Sequence, residues 1–344
     1  MTKIILDDFG ISLSRKKNRF VVRKGGEKKE FPADEIDSII CTTSAASLTS
    51  SALRLAVEKN IQVIFAYHSG NPYGILMPTA LTGSVRARRM QFKAYTEPKG
   101  LVLAKEFVKG KLKNQANILK LMAKNRKLRN RFLADVLYHS GRAIDRIYDY
   151  IDKITGKRVD DVRLKLMNLE AEAARTYWGA ISQVLPSELE FPGRKTRGAK
   201  DPFNAMLNFG YQAALFPEVW RAVCYAGLDP FAGFLHADRP GKPSLILDLM
   251  EEFRQQTVDR PLISLITRKI LKPEEILAEN DEERTLSKRT VQILFQEVLE
   301  RLETKVMFGG RRISIKNVIY IQARNVTRFL IGDTLNYRPF VLGW

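Results

Sequence analysis

Apolar and polar residues alternate along the first part of the chain, and this alternation predicts short β-strands. Gly25-Gly26 between two such strands is a hairpin signal. One helix is predicted over 50–60, with Leu53 and Ala56 facing a small sheet. The predicted strands are residues 4–6, 11–13, 20–23, 29–31, 36–41, 62–67 and 73–77. Together they indicate a compact β-rich domain.

Beyond about residue 101 the apolar positions recur with the helical period of 3.6 residues. Pro217 is expected to kink or divide the third of the resulting helices. Gly309-Gly310 predicts a loop between the last two helices. The predicted helices cover residues 133–151, 159–184, 202–226, 244–256, 262–271, 287–304 and 313–330.

This change of pattern predicts an α+β fold with two domains. A length of 344 residues exceeds the usual size of one domain, and a hydrophobic content of 45% supplies enough apolar material for real cores. We expect a small N-terminal β-rich domain over 1–83, a basic linker over 84–100 and a larger all-α domain over 101–344. The sequence contains no internal repeat and no low-complexity segment.

The formal net charge of +19 points to a polyanionic partner. Nucleic acid is the first expectation, and an anionic membrane surface is the alternative. Fifteen Lys or Arg residues lie between Ser84 and Arg131, against only Glu97 and Glu106. A charge run of this kind is compatible with a solvated helix. Opposite charges four residues apart are nearly absent, however, and this favours phosphate binding.

Two basic stretches supply the candidate DNA contacts. The first gives Arg86, Arg89 and Lys113. The second, FPGRKTRGAKDP, is expected to be a flexible loop that closes over a nucleic-acid backbone or is simply disordered. Its candidate residues are Arg194, Lys195, Arg197 and Lys200.

Cysteine usage and the N-terminus indicate the compartment. Cys41 and Cys224 stand alone without metal-ligand spacing, which excludes a disulfide framework and a cysteine-based zinc site. The start MTKIILDDFG lacks the pattern of a signal peptide, and no apolar run is long enough to span a bilayer. We therefore expect a protein of the cytoplasm without a membrane partner.

The stretch AGLDPFAGFLHADRPGKPSLILDLMEEFR carries the candidate chemistry. His236 lies in a Gly- and Pro-rich loop, and Asp248 and Glu251 follow three residues apart on an apolar helix. Residues at this spacing project from nearly one face. Two carboxylates below an imidazole form part of a site for a hard or borderline divalent cation.

Each of these residues also has an ordinary structural interpretation. Glu170, in LMNLEAEAARTYW, lies on a largely apolar helix face, where a carboxylate needs a cation or an ion pair with a basic side chain of a neighbouring helix. A lone loop histidine such as His236 is often a surface or hydrogen-bonding residue. Asp248 and Glu251 are also compatible with a solvated face of an amphipathic helix. The pattern therefore suggests a site without proving one.

Three strings of this sequence closely resemble the CRISPR-associated spacer integrases of the Cas-one family. They are LMNLEAEAARTYW, DPFNAMLNFGYQAAL and the long stretch around His236, and the resemblance covers essentially the whole chain. It implies that Glu170, His236 and Glu251 bind one divalent metal, Mn²⁺ or Mg²⁺, with Asp248 supporting the site electrostatically. The third ligand is an aspartate in some members and the longer glutamate here.

The resemblance also implies a function. The implied activity is metal-dependent DNA cleavage. With a small Cas-two partner protein, the implied activity is also the insertion of new spacers into a CRISPR array of a prokaryote, which is adaptation in antiviral defence. It implies a homodimer acting on double-stranded DNA, with the β-rich domain serving dimerisation or DNA contact. In transesterification a DNA 3′-hydroxyl attacks a phosphodiester, so the protein positions both DNAs and neutralises charge.

Several alternatives stay open. Arg254 is a candidate phosphate contact or an i,i+3 salt-bridge partner of Glu251. Tyr177 invites the hypothesis of covalent attachment to DNA, but packing of a large helical side chain is favoured. The rival functions are a catalytically idle DNA-binding scaffold, in which the site residues are structural pairs, and a repair nuclease for branched DNA.

Overall fold

The protein is described by a computed structural model that covers residues 2–67, 70–78, 85–196, 198, 200–278 and 285–343. The chain divides into two compact units, Met1–Leu81 and Thr82–Trp344. The predicted boundary after residue 83 lies outside the described residues.

The first unit is built from short strands and one helix, as predicted. The helix begins where the Thr49 hydroxyl accepts a hydrogen bond from the Ala52 amide, a typical N-cap. The elements in chain order are β1 Thr2–Leu6, β2 Ser12–Lys16, β3 Arg19–Lys24, β4 Glu27–Pro32, β5 Ile36–Cys41, β6 Ser47–Leu48, α1 Ser50–Glu58, β7 Gln62–Ala66 and β8 Pro72–Leu76.

The strands of the first unit form two four-stranded sheets. One has the order β1-β5-β7-β8, in which only β8 runs antiparallel to its neighbour. The other has the order β4-β3-β2-β6, in which β6 is parallel to β2. Gly25 and Gly26 join β3 to β4 with φ angles of 53° and 87°, so the predicted hairpin is confirmed.

Both sheets and α1 contribute to one apolar core. The buried side chains include Leu6, Leu13, Phe20, Ile39, Leu55 and Val63. Removal of this apolar surface from water is the main stabilising contribution to such a small unit.

The second unit is mainly helical, and the predicted fold class is confirmed. Its helices are α2 Val85–Tyr95, α3 Pro98–Arg126, α4 Arg131–Ile151, α5 Arg163–Ser182, α6 Pro202–Phe209, α7 Phe216–Tyr225, α8 Ser244–Met250, α9 Arg260–Thr267, α10 Lys288–Glu303 and α11 Ile315–Ile331. Within the described ranges, no helix combines the length and the apolar character that crossing a bilayer requires.

Two details of the second unit differ from the prediction. The glycine pair before Arg311 is the turn of a hairpin, β9 Lys305–Phe308 with β10 Arg311–Ser314, so this unit is not all-α. Gly309 and Gly310 have φ angles of 56° and 76°, which suits a tight two-residue turn.

The described part of the predicted basic linker over 84–100 is helical, in α2 and in the start of α3, and a helix was one interpretation of this charge run. Ala87, Gln91 and Ala94 form the buried stripe of α2. Small residues and an amide carry little hydrophobic signal, and basic residues surround them, so the periodicity was hidden. The Gln91 side chain donates to the carbonyls of Asp229 and Ala232 at 2.8 and 2.7 Å, which fixes α2 within the unit.

The long helices α3 and α4 form an antiparallel pair, and α5 packs beside them. Gly141 of α4 lies so close to α3 that an added Cβ would stand 3.1 Å from the Ala116 carbonyl oxygen. This arrangement brings Lys111 of α3 opposite Glu170 of α5.

Two π-helical segments interrupt the helices that follow. Gly210–Leu215 lies between α6 and α7, and Gln255–Asp259 precedes α9. Pro217 and Pro261 follow them by two residues. A proline has no amide proton and crowds the carbonyl four residues earlier, so the regular ladder is broken there. The irregularity expected at Pro217 is therefore a π segment just before it.

The segment after α11 contains no helix or strand in its described part and is fixed by side chains of the interior. The Asn114 amide donates to the Phe340 carbonyl at 2.8 Å. Glu252 accepts a hydrogen bond from the Phe340 amide at 2.8 Å. The rings of Phe340 and Phe253 are stacked, with centroids 5.0 Å apart. The segment therefore lies against the residues that immediately follow Glu251.

Candidate functional site

Asp248 of α8 organises the loop that carries His236. Its Oδ2 accepts hydrogen bonds from the amides of Phe234 and Leu235 at 2.6 and 3.0 Å. Its Oδ1 accepts from the His236 amide at 3.0 Å and lies 2.6 Å from His236 Nδ1. Asp248 thereby fixes both the loop and the orientation of the imidazole, leaving Nε2 for another partner.

The same loop packs tightly on the first turn of α8. A Cβ at Gly233 would lie 2.6 Å from the carbonyl carbon of Ser244, so only glycine fits there. The Ser244 hydroxyl accepts from the Gly233 amide at 2.9 Å and donates to the Phe231 carbonyl. This contact places His236 above the helix that carries Asp248.

Lys111 links the two glutamates of the candidate site. Its ammonium pairs with Oε1 of Glu170 and lies 2.8 Å from Oε2 of Glu251. The exposed fraction of these side chains is 13% for Lys111, 17% for Glu170 and 4% for Glu251. Residues from α3, α5 and the end of α8 therefore meet at the partly buried Lys111 ammonium.

The charges around Glu251 and His236 shift their pKa values. Burial alone would raise the pKa of Glu251, but Arg254, Lys111 and His236 outweigh it and hold the value at about 2. Burial alone would lower the pKa of His236, but the hydrogen bond and charge of Asp248, together with the charges of Glu251 and Glu170, raise it. Glu170, Glu251 and His236 are thus close enough to interact electrostatically.

Arg254 extends this charge cluster towards the π segments. Its Nε lies 3.1 Å from Oε1 of Glu251, so the salt bridge considered for this pair is present. Its guanidinium also lies over the ring of Tyr211, 4.6 Å from the centroid. The hydroxyl of Tyr211 donates to Asp259. Both π segments therefore contribute a residue to the surroundings of the site.

Tyr177 is fully buried, and its hydroxyl donates to Asp259 at 3.1 Å. Burial, followed by the charge of Asp259, raises the pKa of Tyr177 well above its ordinary value. A nucleophile for DNA needs access and an easily removed proton. The geometry therefore supports the packing role of Tyr177.

The donor types at the site fit a divalent cation. Two carboxylates converge on the Lys111 ammonium, and the Asp248 carboxylate holds the His236 imidazole, whose pKa both glutamates raise. Among the described residues, no three Asp, Glu, His or Cys side chains are arranged as a ready-made metal cage. The Lys111 ammonium lies where the two glutamates converge. Glu170, His236 and Glu251 are the residues that would hold a metal.

The predicted DNA contacts have different environments. Arg89 is exposed on α2, and Lys195 and Lys200 are exposed in the loop before α6. Arg86 donates to the Ile331 carbonyl at 3.1 Å, at the end of α11. Lys113 lies 2.9 Å from Oδ1 of Asp145. Arg197 lies outside the described residues.

The described part of the loop before α6 is anchored. Arg194 donates to the side-chain oxygens of Asn204 and Asn208 at 2.9 and 2.7 Å. The Asn204 amide group donates to the Gly193 carbonyl at 2.8 Å. Arg194 therefore holds the loop onto α6 and lies over the Tyr211 ring, 5.3 Å from its centroid.

Sequence reasoning missed Lys111, Tyr211 and Asp259. Lys111 carried a detectable signal, since residues three and four positions away on α3, among them Phe107, Val108 and Gln115, are apolar or amide-bearing and are buried. A lysine on such a face needs a carboxylate partner. Asp259 has polar neighbours in Gln255, Gln256 and Arg260, so its position gave no such signal, and its partners Tyr177 and Tyr211 are distant in sequence.

The chain resembles known proteins along most of its length. The family model of the CRISPR associated protein Cas1 matches residues 4–300. The chain belongs to the Cas1 family. A Cas1 endonuclease of Archaeoglobus fulgidus is 38% identical over 349 residues, covering 99% of this chain and all of that protein. The resemblance stated from the sequence motifs is therefore confirmed.

Solved structures with the Cas1 fold are also similar. A casposase bound to an integration product matches with a TM-score of 0.83 and 24% identity, over 98% of this chain and 93% of that one. A Cas6-RT-Cas1–Cas2 complex matches with a TM-score of 0.77 and 20% identity, over 98% of this chain and 36% of that one. At these identities the likeness shows a common fold.

Proposed function

We propose that this Cas1-family protein is a metal-dependent DNA endonuclease and integrase that inserts new spacers into a CRISPR array by transesterification. The relative from A. fulgidus is named an endonuclease, and the similar casposase was solved with an integration product. The observation that carries the proposal is the convergence of Glu170 and Glu251 on the Lys111 ammonium, with His236 near enough for both carboxylates to raise its pKa.

The residues of the proposed site have different roles, which follow from their positions. Asp248 holds the His236 ring so that Nε2 is directed away from Asp248. Glu170 and Glu251 supply two carboxylates whose charges a cation must balance. Glu170, Glu251 and His236 would hold the divalent metal, which would supply Lewis-acid polarisation of a phosphodiester and neutralise developing negative charge. The protein needs no nucleophile of its own for strand transfer. The incoming DNA 3′-hydroxyl would form the new bond to phosphorus, and the bond from phosphorus to the O3′ of the target strand would break and leave a new 3′-hydroxyl.

Alanine substitution of the proposed metal-binding side chains tests the site. Glu170→Ala and His236→Ala should each abolish cleavage and strand transfer in a gel assay with Mn²⁺, while binding of the same DNA retains most of its affinity. Glu172→Ala, an exposed carboxylate on the same helix as Glu170, serves as the matched control. Wild-type levels of integration by both site variants would reject the site.

One observation favours a second candidate function, a catalytically idle DNA-binding scaffold. Each proposed site carboxylate or imidazole already has a partner: Glu170 and Glu251 have Lys111, and His236 has Asp248. Activity measured with Mn²⁺ and then with excess EDTA separates the two functions. An integrase gains activity with the metal and loses it with the chelator, whereas a scaffold produces no cleaved or joined DNA in either condition.

We further propose a homodimer that assembles with a small Cas2 protein on double-stranded DNA in a prokaryotic cell. The similar fold of a Cas6-RT-Cas1–Cas2 complex supports the partner, and the net charge of +19 supports the DNA. Light scattering after size-exclusion chromatography, with and without Cas2, measures both assemblies. A monomer at every concentration, with no co-elution of Cas2, would contradict them.

A further inference from the structure

We infer that Lys111 is a built-in counter-cation, whose ammonium holds Glu170 and Glu251 together until a divalent metal displaces it. This inference rests on the proposed metal-dependent function. It concerns a residue of α3, whereas the proposed ligands lie on α5, at the end of α8 and in the loop before α8. Lys111 is thus a positioning residue that acts through the two glutamates.

The contacts of Lys111 argue for this role. Its ammonium pairs with Oε1 of Glu170 and lies 2.8 Å from Oε2 of Glu251. Glu170 is partly buried and Glu251 is buried, so their carboxylates would repel if no cation lay between them, since water screens them less there than at the surface. In the metal-free chain Lys111 therefore keeps Glu170 and Glu251 close enough to act together.

The same contacts make lysine and metal competitors. An ammonium and a divalent cation cannot occupy the same point between the two carboxylates, and their charges repel at short distance. Lys111 must therefore leave the carboxylate oxygens when a metal enters. The side chain is 13% exposed and has a flexible four-carbon stem, so an outward rotation is available to it.

A neighbouring lysine on the same helix provides a matched comparison. The Lys109 ammonium also bridges two carboxylates, at 3.1 Å from Oε1 of Glu106 and 3.0 Å from Oδ1 of Asp152. The carboxylates paired with Lys109 are Glu106 and Asp152. The two glutamates paired with Lys111, by contrast, both interact electrostatically with His236. Any effect specific to the candidate site should therefore appear for Lys111 and be absent for Lys109.

The experiment titrates the full chain with Mn²⁺ alone in an isothermal calorimeter. Lys111→Met should bind Mn²⁺ about tenfold more tightly than wild type, or tighter still, because a competing charge a few ångströms away is removed. Lys109→Met should bind it with unchanged affinity. The midpoint of thermal unfolding of Lys111→Met should fall below wild type in EDTA and recover on addition of Mn²⁺.

The outcomes separate this inference from the proposed function. Wild type that binds Mn²⁺ through Glu170 and His236, with Lys111→Met binding no tighter, overturns the role of Lys111 alone. Absence of Mn²⁺ binding to wild type, or binding that survives Glu170→Ala and His236→Ala, overturns the metal site and this inference with it.

A second measurement covers the case in which Lys111→Met does not fold. Wild type is treated with an amine-reactive reagent, and labelling of Lys111 and Lys109 is quantified by mass spectrometry. Labelling of Lys111 should rise severalfold when Mn²⁺ replaces EDTA, while labelling of Lys109 stays constant. Equal labelling of Lys111 in both conditions contradicts displacement.

Discussion

Single residues determine the geometry of the candidate site, and Asp248 is the clearest case. Each of its two carboxylate oxygens has two partners. Oδ2 accepts hydrogen bonds from the amides of Phe234 and Leu235, and Oδ1 accepts one from the His236 amide and contacts the His236 ring. An asparagine there offers one oxygen only, and its amide group would face an N–H donor. We therefore expect Asp248→Asn to lower the free energy of unfolding by about 1–3 kcal/mol.

Urea denaturation followed by tryptophan fluorescence measures this loss. The tryptophans Trp178, Trp220 and Trp344 all belong to the second unit, so their signal reports the unit that contains Asp248. Glu172→Gln, at an exposed position of α5, is the control and should unfold like wild type. Unfolding of Asp248→Asn at the same urea concentration as the control would contradict the argument.

Asp259 predicts a specific dependence of stability on pH. Burial raises the pKa of Asp259 from 3.8 to about 6, against the opposing hydrogen bonds of Tyr211 and Tyr177. The native state therefore binds this proton more tightly than the unfolded state, and stability falls as pH rises through this interval. Asp259→Asn cannot ionise, so its stability relative to wild type should increase from pH 4 to pH 7.

Differential scanning fluorimetry at a series of pH values checks this expectation. The quantity of interest is the difference in unfolding midpoint between Asp259→Asn and wild type, because the other carboxyl groups cancel in it. A difference that stays constant, or that falls as pH rises, would contradict the assignment of the proton to Asp259.

The partner of Glu170 shows what residue patterns can and cannot predict. The pattern indicated that a carboxylate on an apolar helix face needs a cation or a basic side chain from a neighbouring helix, and Lys111 is such a side chain. The sequence did not name Lys111, because α3 carries many lysines and only the packing of α3 on α5 selects one. The roles of Glu170 towards metal and DNA remain predictions.

At the scale of elements, the loop before α8 depends on one close approach. A methyl group at Gly233 would collide with the backbone of Ser244, at 2.6 Å from its carbonyl carbon. Gly233→Ala should therefore destabilise the protein by about 1–3 kcal/mol. It should also reduce integration, since the displaced loop carries His236 away from Asp248.

A glycine on α5 provides the control for that substitution. A Cβ at Gly179 would meet no atom within 4 Å, so Gly179→Ala should be neutral or slightly stabilising in this helix interior. Thermal unfolding and strand-transfer assays of both variants give the comparison. If Gly233→Ala and Gly179→Ala had equal unfolding midpoints and equal strand-transfer activity, the argument based on the Gly233 contact would be wrong.

Elements were predictable where the hydrophobic signal was strong. Helix α4 was expected over 133–151 and is observed over Arg131–Ile151, since its apolar stripe is long and regular. The bounds of α2 and α3 were not predicted, although a helix was one interpretation of the charge run that contains them. In α2 the buried stripe consists of alanines and Gln91, which give little hydrophobic signal. The hairpin before α11 was expected as a loop between two helices, although its Gly309-Gly310 turn is the same kind of signal that predicted the hairpin at Gly25-Gly26.

For the whole molecule, the net charge of +19 predicts DNA binding that is dominated by phosphate contacts. Replacement of the exposed Arg89, Lys195 and Lys200 by alanine should weaken binding equally for CRISPR repeat DNA and scrambled DNA. The slope of log affinity against log salt should decrease in magnitude by about 0.9 for each phosphate group that the protein no longer neutralises.

Fluorescence anisotropy at several salt concentrations tests this expectation. Lys109→Ala is the control, because its ammonium is already paired with Glu106 and Asp152. A weakening restricted to repeat DNA would indicate base reading by the three residues, and an unchanged salt slope would exclude them as phosphate-binding groups.

The segment after α11 has a consequence for the order of folding. The hydrogen bond between Asn114 and Phe340 joins residues separated by 226 positions. Glu252 and Phe253, directly after Glu251, also make their contacts with this segment. Contacts between residues so far apart in sequence close a long loop, and this closure costs conformational entropy. Folding of the region around Glu252 and Phe253 therefore depends on pairing two segments that are distant along the chain, which is typically slow.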